Sequence, residues 1–170
     1  MFFLLSSLVL SRLFYNAEIM VASYQVLKKM DFAYMRVLRR IVNDPRFGRT
    51  EWTDREIRER VGAASIDSLL LCKRLAYLER VGSSSDLVSR HALIALLATE
   101  HKGQRMPWAI QCEDALRAAY QVSPLARRSL SPPQEKPGRW WEVIRHDKVL
   151  WAKIVGECKF VESSLDTTAS

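Results

Sequence analysis

Tyr24-Gln25-Val26-Leu27-Lys28-Lys29-Met30-Asp31-Phe32-Ala33-Tyr34-Met35-Arg36-Val37-Leu38-Arg39-Arg40-Ile41-Val42 is the stretch that decides how this chain is read. Wound as a helix of about 3.6 residues per turn, it gathers Lys28, Lys29, Arg36, Arg39 and Arg40 within roughly a third of the circumference. Val26, Leu27, Met30, Tyr34, Val37, Leu38 and Ile41 fall on the other side. One residue breaks the segregation. Phe32 stands in the middle of the cations, and an aromatic ring set into a basic stripe suits a phosphate backbone with a stacked base. The plainer reading of such a face is a solvated helix surface.

Working outward, Ser23 is placed to cap this helix, and Asn43-Asp44-Pro45 ends it, because the residue before proline is pushed out of the helical region. A loop with Arg46, Phe47, Gly48 and Arg49 follows. Thr53-Asp54-Arg55-Glu56 forms a capping box for a short helix that stops at Gly62. Ser65 opens a longer helix with leucine at 69, 70, 71, 75 and 78, and Gly82 reads as its end. Leucines on nearly every side predict the most buried helix of the chain.

A further apolar helix is expected over 86–99, then a polar loop over 101–106. Pro107 should start a helix reaching Gln121. The four prolines between Ser123 and Gly138 predict an exposed linker. Trp140 to Cys158 recovers a helical pattern, and the residues after it read as a disordered tail. No alternating strand pattern appears. The expectation is all-α: an irregular bundle of about six to eight helices with a Pro-rich linker before the C-terminal helices. Its parts are a helical body over 1–122, a linker over 123–139, a Trp-rich segment over 140–158 and a tail over 159–170.

The chain has 170 residues and a formal charge of +7, with a pI near 9.6. That length suits one domain with a small appendage, and the charge favours a polyanionic partner. Cys72, Cys112 and Cys158 are widely spaced, and His91, His101 and His146 do not join them at metal-ligand spacing. They read as reduced core thiols of an intracellular protein, with no metal and no cofactor. Met1 to Leu10 is almost wholly apolar but lacks the cationic start of a signal peptide, and Arg12 and Glu18 interrupt it before a membrane span is complete. It reads as a core helix, one that favours self-association if nothing covers it. Its abrupt start suggests a piece of something larger.

Catalytic signatures are missing from the sequence. The six glycines are scattered and form no phosphate-binding loop, and the acidic residues sit mostly among basic neighbours, where capping and ion pairing explain them. No enzyme activity is expected. Thr53 to Gly82 has the outline of a helix-turn-helix that would present Lys73, Arg74 and Arg80 to DNA, but its second helix is too rich in leucine for a reading face. A small membrane-associated protein is the other alternative.

Several segments together resemble a known family. Ser11-Arg12-Leu13-Phe14-Tyr15-Asn16-Ala17-Glu18 is similar to the S-R-L-L-[YF]-N-[AG]-E block that closes the reverse transcriptase region of non-LTR (LINE-type) retrotransposons. Arg36 to Ile41 resembles the cationic helix ending that follows it there. The loop from Asn43 to Asp54, the block Arg58 to Gly62, the block Arg74 to Leu78, Trp108 and Arg139-Trp140-Trp141 continue the likeness along nearly the whole chain. Met20 stands where many members carry tryptophan, and the family's aromatic-Ala-Asp-Asp polymerase turn is absent. The resemblance therefore implies a thumb and the region beyond it, which holds a template-primer by its backbone and does no chemistry. The residues expected to bind nucleic acid, DNA or RNA, are Lys28, Lys29, Phe32, Arg36, Arg39, Arg40, Arg46 and Arg49.

Overall fold

The computed structural model describes residues 15–16, 21, 23–42, 52–84, 100–101, 104–105 and 107–160. The apolar opening, the expected helix over 86–99 and the C-terminal tail lie outside them, apart from the turn at 15–16 and the first residues after Cys158. The described residues form seven α-helices: α1 (Tyr24–Ile41), α2 (Asp54–Val61), α3 (Ile66–Gly82), α4 (Pro107–Val122), α5 (Pro124–Ser129), α6 (Pro137–His146) and α7 (Lys148–Glu157). A 3-10 turn, Cys158–Phe160, follows α7. The fold is all-α. Among the described residues the one ladder is a two-residue antiparallel pairing of Glu100–His101 with Gln104–Arg105, which falls, Glu100 apart, in the stretch expected to be a polar loop.

Contacts divide the chain into two compact units, the first including Ala22–Leu70 and the second including Leu71–Lys159. The boundary falls inside α3. In the first unit the helix ends follow local chemistry. The Ser23 hydroxyl accepts the Val26 amide at 3.4 Å. The Thr53 hydroxyl accepts the Glu56 amide at 3.3 Å, and the Glu56 carboxylate accepts the Thr53 amide at 2.7 Å. Those two bonds complete the capping box and satisfy two otherwise orphan donors. At the other end of α2, Gly62 takes φ 63°. The Ala63 amide then reaches the Arg58 carbonyl and the Gly62 amide reaches Glu59. This is a Schellman closure, and it needs a left-handed residue.

Gly82 was expected to end α3 in the same way, and it does not. It is a buried helical residue, and α3 ends instead where the Ser83 hydroxyl donates to the Glu79 carbonyl at 2.6 Å. A Cβ at Gly82 would stand 2.9 Å from Cγ2 of Ile144 and 3.7 Å from the Trp141 ring. The glycine is there to let α6 approach the backbone of α3. Leu70, Leu71, Leu75 and Leu78 are all buried, as the all-round leucine pattern predicts.

The second unit is built around tryptophan. Trp140 and Trp151 are fully buried and meet edge to face at 6.4 Å, and Tyr120 packs against Trp140 at the same distance. The Trp140 indole N–H donates to the Ser131 carbonyl at 2.9 Å, so this ring carries no unmet donor into the interior. Tyr77 and Trp108 make a second edge-to-face pair at 5.8 Å.

The proline-rich stretch is also not the bare linker that its composition predicts. Pro124 and Pro137 stand at the starts of α5 and α6, as Pro107 starts α4. At the first helical position the missing N–H is one no helix would use, and the fixed φ already suits the helix. Ser123, Ala126 and Leu130 are buried. The Ser123 hydroxyl accepts the Ala126 amide at 2.9 Å and donates to the Glu157 carboxylate, which also accepts the Leu125 amide at 3.2 Å. Prolines that would break a helix in its interior begin one here.

Candidate nucleic-acid interface

On α1 the four buried residues are Met30, Tyr34, Met35 and Leu38. Burial pushes the Tyr34 phenol up to about 12, so it remains a neutral core group at any working pH. Three of these four were expected on the apolar side. Met35 was not, because at roughly 100° per residue it falls beside the cations. α2 covers it: an Arg58 guanidinium N–H points at the Met35 sulfur from 3.6 Å, and Arg58 itself is buried. The covered arc of α1 is therefore wider than the sequence pattern implies, and it grows at the expense of the stripe.

Arg39 lies at that same edge. Its guanidinium donates to the carboxylate of Asp54 in the first turn of α2, and its side chain is only 19% exposed. An ion pair at this half-buried position ties α2 to α1. Lys28, Lys29, Arg36 and Arg40 are exposed. Lys28 leans back toward the start of the helix, with its ammonium 4.8 Å from the Tyr24 ring centre. Phe32 is 72% exposed, which places a phenyl ring in solvent among cations. Arg46 and Arg49 lie outside the described residues. Of the eight residues expected to bind, the structure thus brings five to one exposed face and engages Arg39 in a contact within the fold.

The helix-turn-helix outline does exist as α2, the turn from Gly62 to Ser65, and α3. Its expected reading face is only partly exposed. Arg74 donates to the Gln111 side chain at 2.6 Å, and burial pulls its guanidinium down from the usual value. Arg80 lies over the Tyr77 ring at 5.2 Å, and both it and Lys73 are exposed. With Leu71, Leu75 and Leu78 buried beside these residues, α3 is committed to the interior.

The three cysteines are free. Burial pushes the Cys112 and Cys158 thiols up to about 12 and raises Cys72 as well, so none is poised as a thiolate nucleophile. The Cys72 thiol points at the Val155 carbonyl at 3.8 Å. Among the described residues no three His, Cys, Asp or Glu side chains come together as metal ligands, and no helix is long and apolar enough to cross a membrane.

Compared with known proteins, the chain matches no family model, no curated protein and no solved structure. What the candidate interface can do must be argued from its own residues. Asp54, Arg58 and Met35 are the residues that sequence reasoning missed here. Asp54 was legible only as part of a capping box, and nothing in a one-dimensional pattern says which helix its carboxylate will face.

Proposed function

We propose that this chain is a non-catalytic, thumb-like protein that holds nucleic acid by its backbone, without base preference, through the exposed face of α1. One observation carries the reading: Lys29, Arg36 and Arg40 share an exposed arc with Phe32, a ring that serves no core. An apolar ring kept in water has a cost that a stacked base would offset. The resemblance to the thumb region of LINE-type reverse transcriptases supports the backbone grip, since such a region holds its template-primer by the phosphates. An intracellular setting belongs to this reading, and the three free cysteines support it.

The test is the salt dependence of binding. Each cation on a phosphate releases a counterion, so Lys29→Ala, Arg36→Ala and Arg40→Ala should each weaken binding to all sequences alike. Each should also lower the magnitude of the log–log salt slope by about 1. A well-folded set of variants that binds as the parent does would end this reading. Primer extension with added Mg²⁺ that vanishes on replacing one Asp or Glu of this chain would end its non-catalytic part.

A further inference from the structure

Lys29, Arg36 and Arg40 lie within roughly 40° of one another around the axis of α1, at a turn of about 100° per residue. They are separated along it by about 10 Å and about 6 Å at the helical rise. They form a single row. On the far side of Phe32, Arg39 is held by Asp54 and Met35 lies under Arg58, and Lys28 is the one exposed cation of α1 there, with its ammonium toward Tyr24. Phe32 stands beside the row, between Lys29 and Arg36 along the axis.

We propose that this face takes an unpaired strand in preference to a duplex, with the phosphates along the row of cations and one base stacked on Phe32. The inference rests on the reading of α1 as a nucleic-acid interface and narrows it. A single strand presents one line of phosphates with bases free to turn to one side, which is what a single row with a ring beside it can hold. A duplex buries its base faces in its own stack. Against it the phenyl ring would meet sugar and phosphate, or would have to wedge between base steps at the cost of unstacking them. Arg36 and Arg40 serve here as exposed cations whatever other contacts they make.

The experiment is fluorescence anisotropy on the full chain at fixed salt. Four ligands are used: an oligothymidylate, an oligouridylate, a mixed-sequence duplex of equal length, and inorganic polyphosphate, which has the charge without bases. The parent protein should bind the single strands more tightly than the duplex. Phe32→Ala should lose roughly tenfold on the single strands and change little on duplex or polyphosphate. Phe32→Leu keeps apolar bulk without a π-face and should lose nearly as much, whereas Phe32→Trp should restore binding. Tighter binding of either single strand than of the duplex supports the inference, with the two arms telling DNA from RNA, and a duplex bound as tightly as both overturns it. If the cation variants weaken binding but Phe32→Ala and Phe32→Leu do not, the stacking inference falls while the interface stands. If combined Lys29→Ala, Arg36→Ala and Arg40→Ala leaves every ligand bound as before, both fall.

Discussion

α1 and α3 are nearly equal in length, 18 and 17 residues, and each begins on a serine whose hydroxyl accepts the amide three residues ahead. Their fates differ. α1 buries one arc and leaves cations and a phenyl ring in water, whereas α3 is buried at Ile66, Ser68, Leu70, Leu71, Leu75 and Leu78. Both carry basic residues that meet partners within the fold, Arg39 on Asp54 in α1 and Arg74 on Gln111 in α3, but α1 also sets Lys29, Arg36 and Arg40 along one exposed arc beside Phe32. A helix is left free to meet a ligand only if its own core demands are met on one side. Charge counts do not reveal this; the spacing of the apolar residues does.

That contrast can be broken by substitution, and the largest effect should come from α3. Leu75 is fully buried, so Leu75→Ala should destabilise the fold by about 2–5 kcal/mol in denaturant melts, through lost contact and a residual cavity. A loss no larger than that of a helix cap would mean that α3 is not the interior element described above.

Gly82→Ala separates local propensity from packing. Propensity alone predicts a gain, at most about the 1 kcal/mol of a helix interior, from replacing a glycine in the last turn of a helix. The 2.9 Å approach to Ile144 Cγ2 predicts the reverse, a loss of roughly 1–3 kcal/mol from overpacking, because Ile144 is buried and β-branched. A stabilised variant would show that α6 can give way.

Thr53→Ala removes one side of the capping box and should cost about 1 kcal/mol. The Glu56 carboxyl is held below its usual value by the Thr53 amide and hydroxyl. A depressed carboxylate contributes stability that is present above its unfolded pKa and lost as pH falls through the folded one. Acid titration should therefore shrink the difference between parent and Thr53→Ala, and a difference that grows on acidification would reverse the assignment.

The smallest stability effect belongs to Phe32→Ala, expected within about 0.5 kcal/mol, the range of surface changes away from special features. A large loss would place Phe32 in a core and dissolve the contrast with α3. Arg39→Ala should sit between these extremes, because it removes the partner of Asp54 at a half-buried position.

The sequence by itself determined the local events. Ser23, Thr53 with Glu56, Ser65, Gly62 and Pro107 all act within a turn of their own position, so their roles follow from hydrogen-bonding chemistry that needs no distant partner. The periodicity of the leucines in α3 and of the cations in α1 likewise settled the all-α class and which side of α1 faces solvent. Tertiary structure decided whatever depended on a neighbour from far along the chain. Gly82 is a point of close approach because α6 arrives there, and Met35 and Arg39 are covered because α2 lies on that edge of α1. Pro124 and Pro137 begin helices because buried Ser123, Ala126 and Trp140 hold the chain in place around them. A glycine, an arginine or a proline has the same local preferences in either role. What selects between the roles is the packing surface that meets it, and that surface is assembled from residues no local window contains.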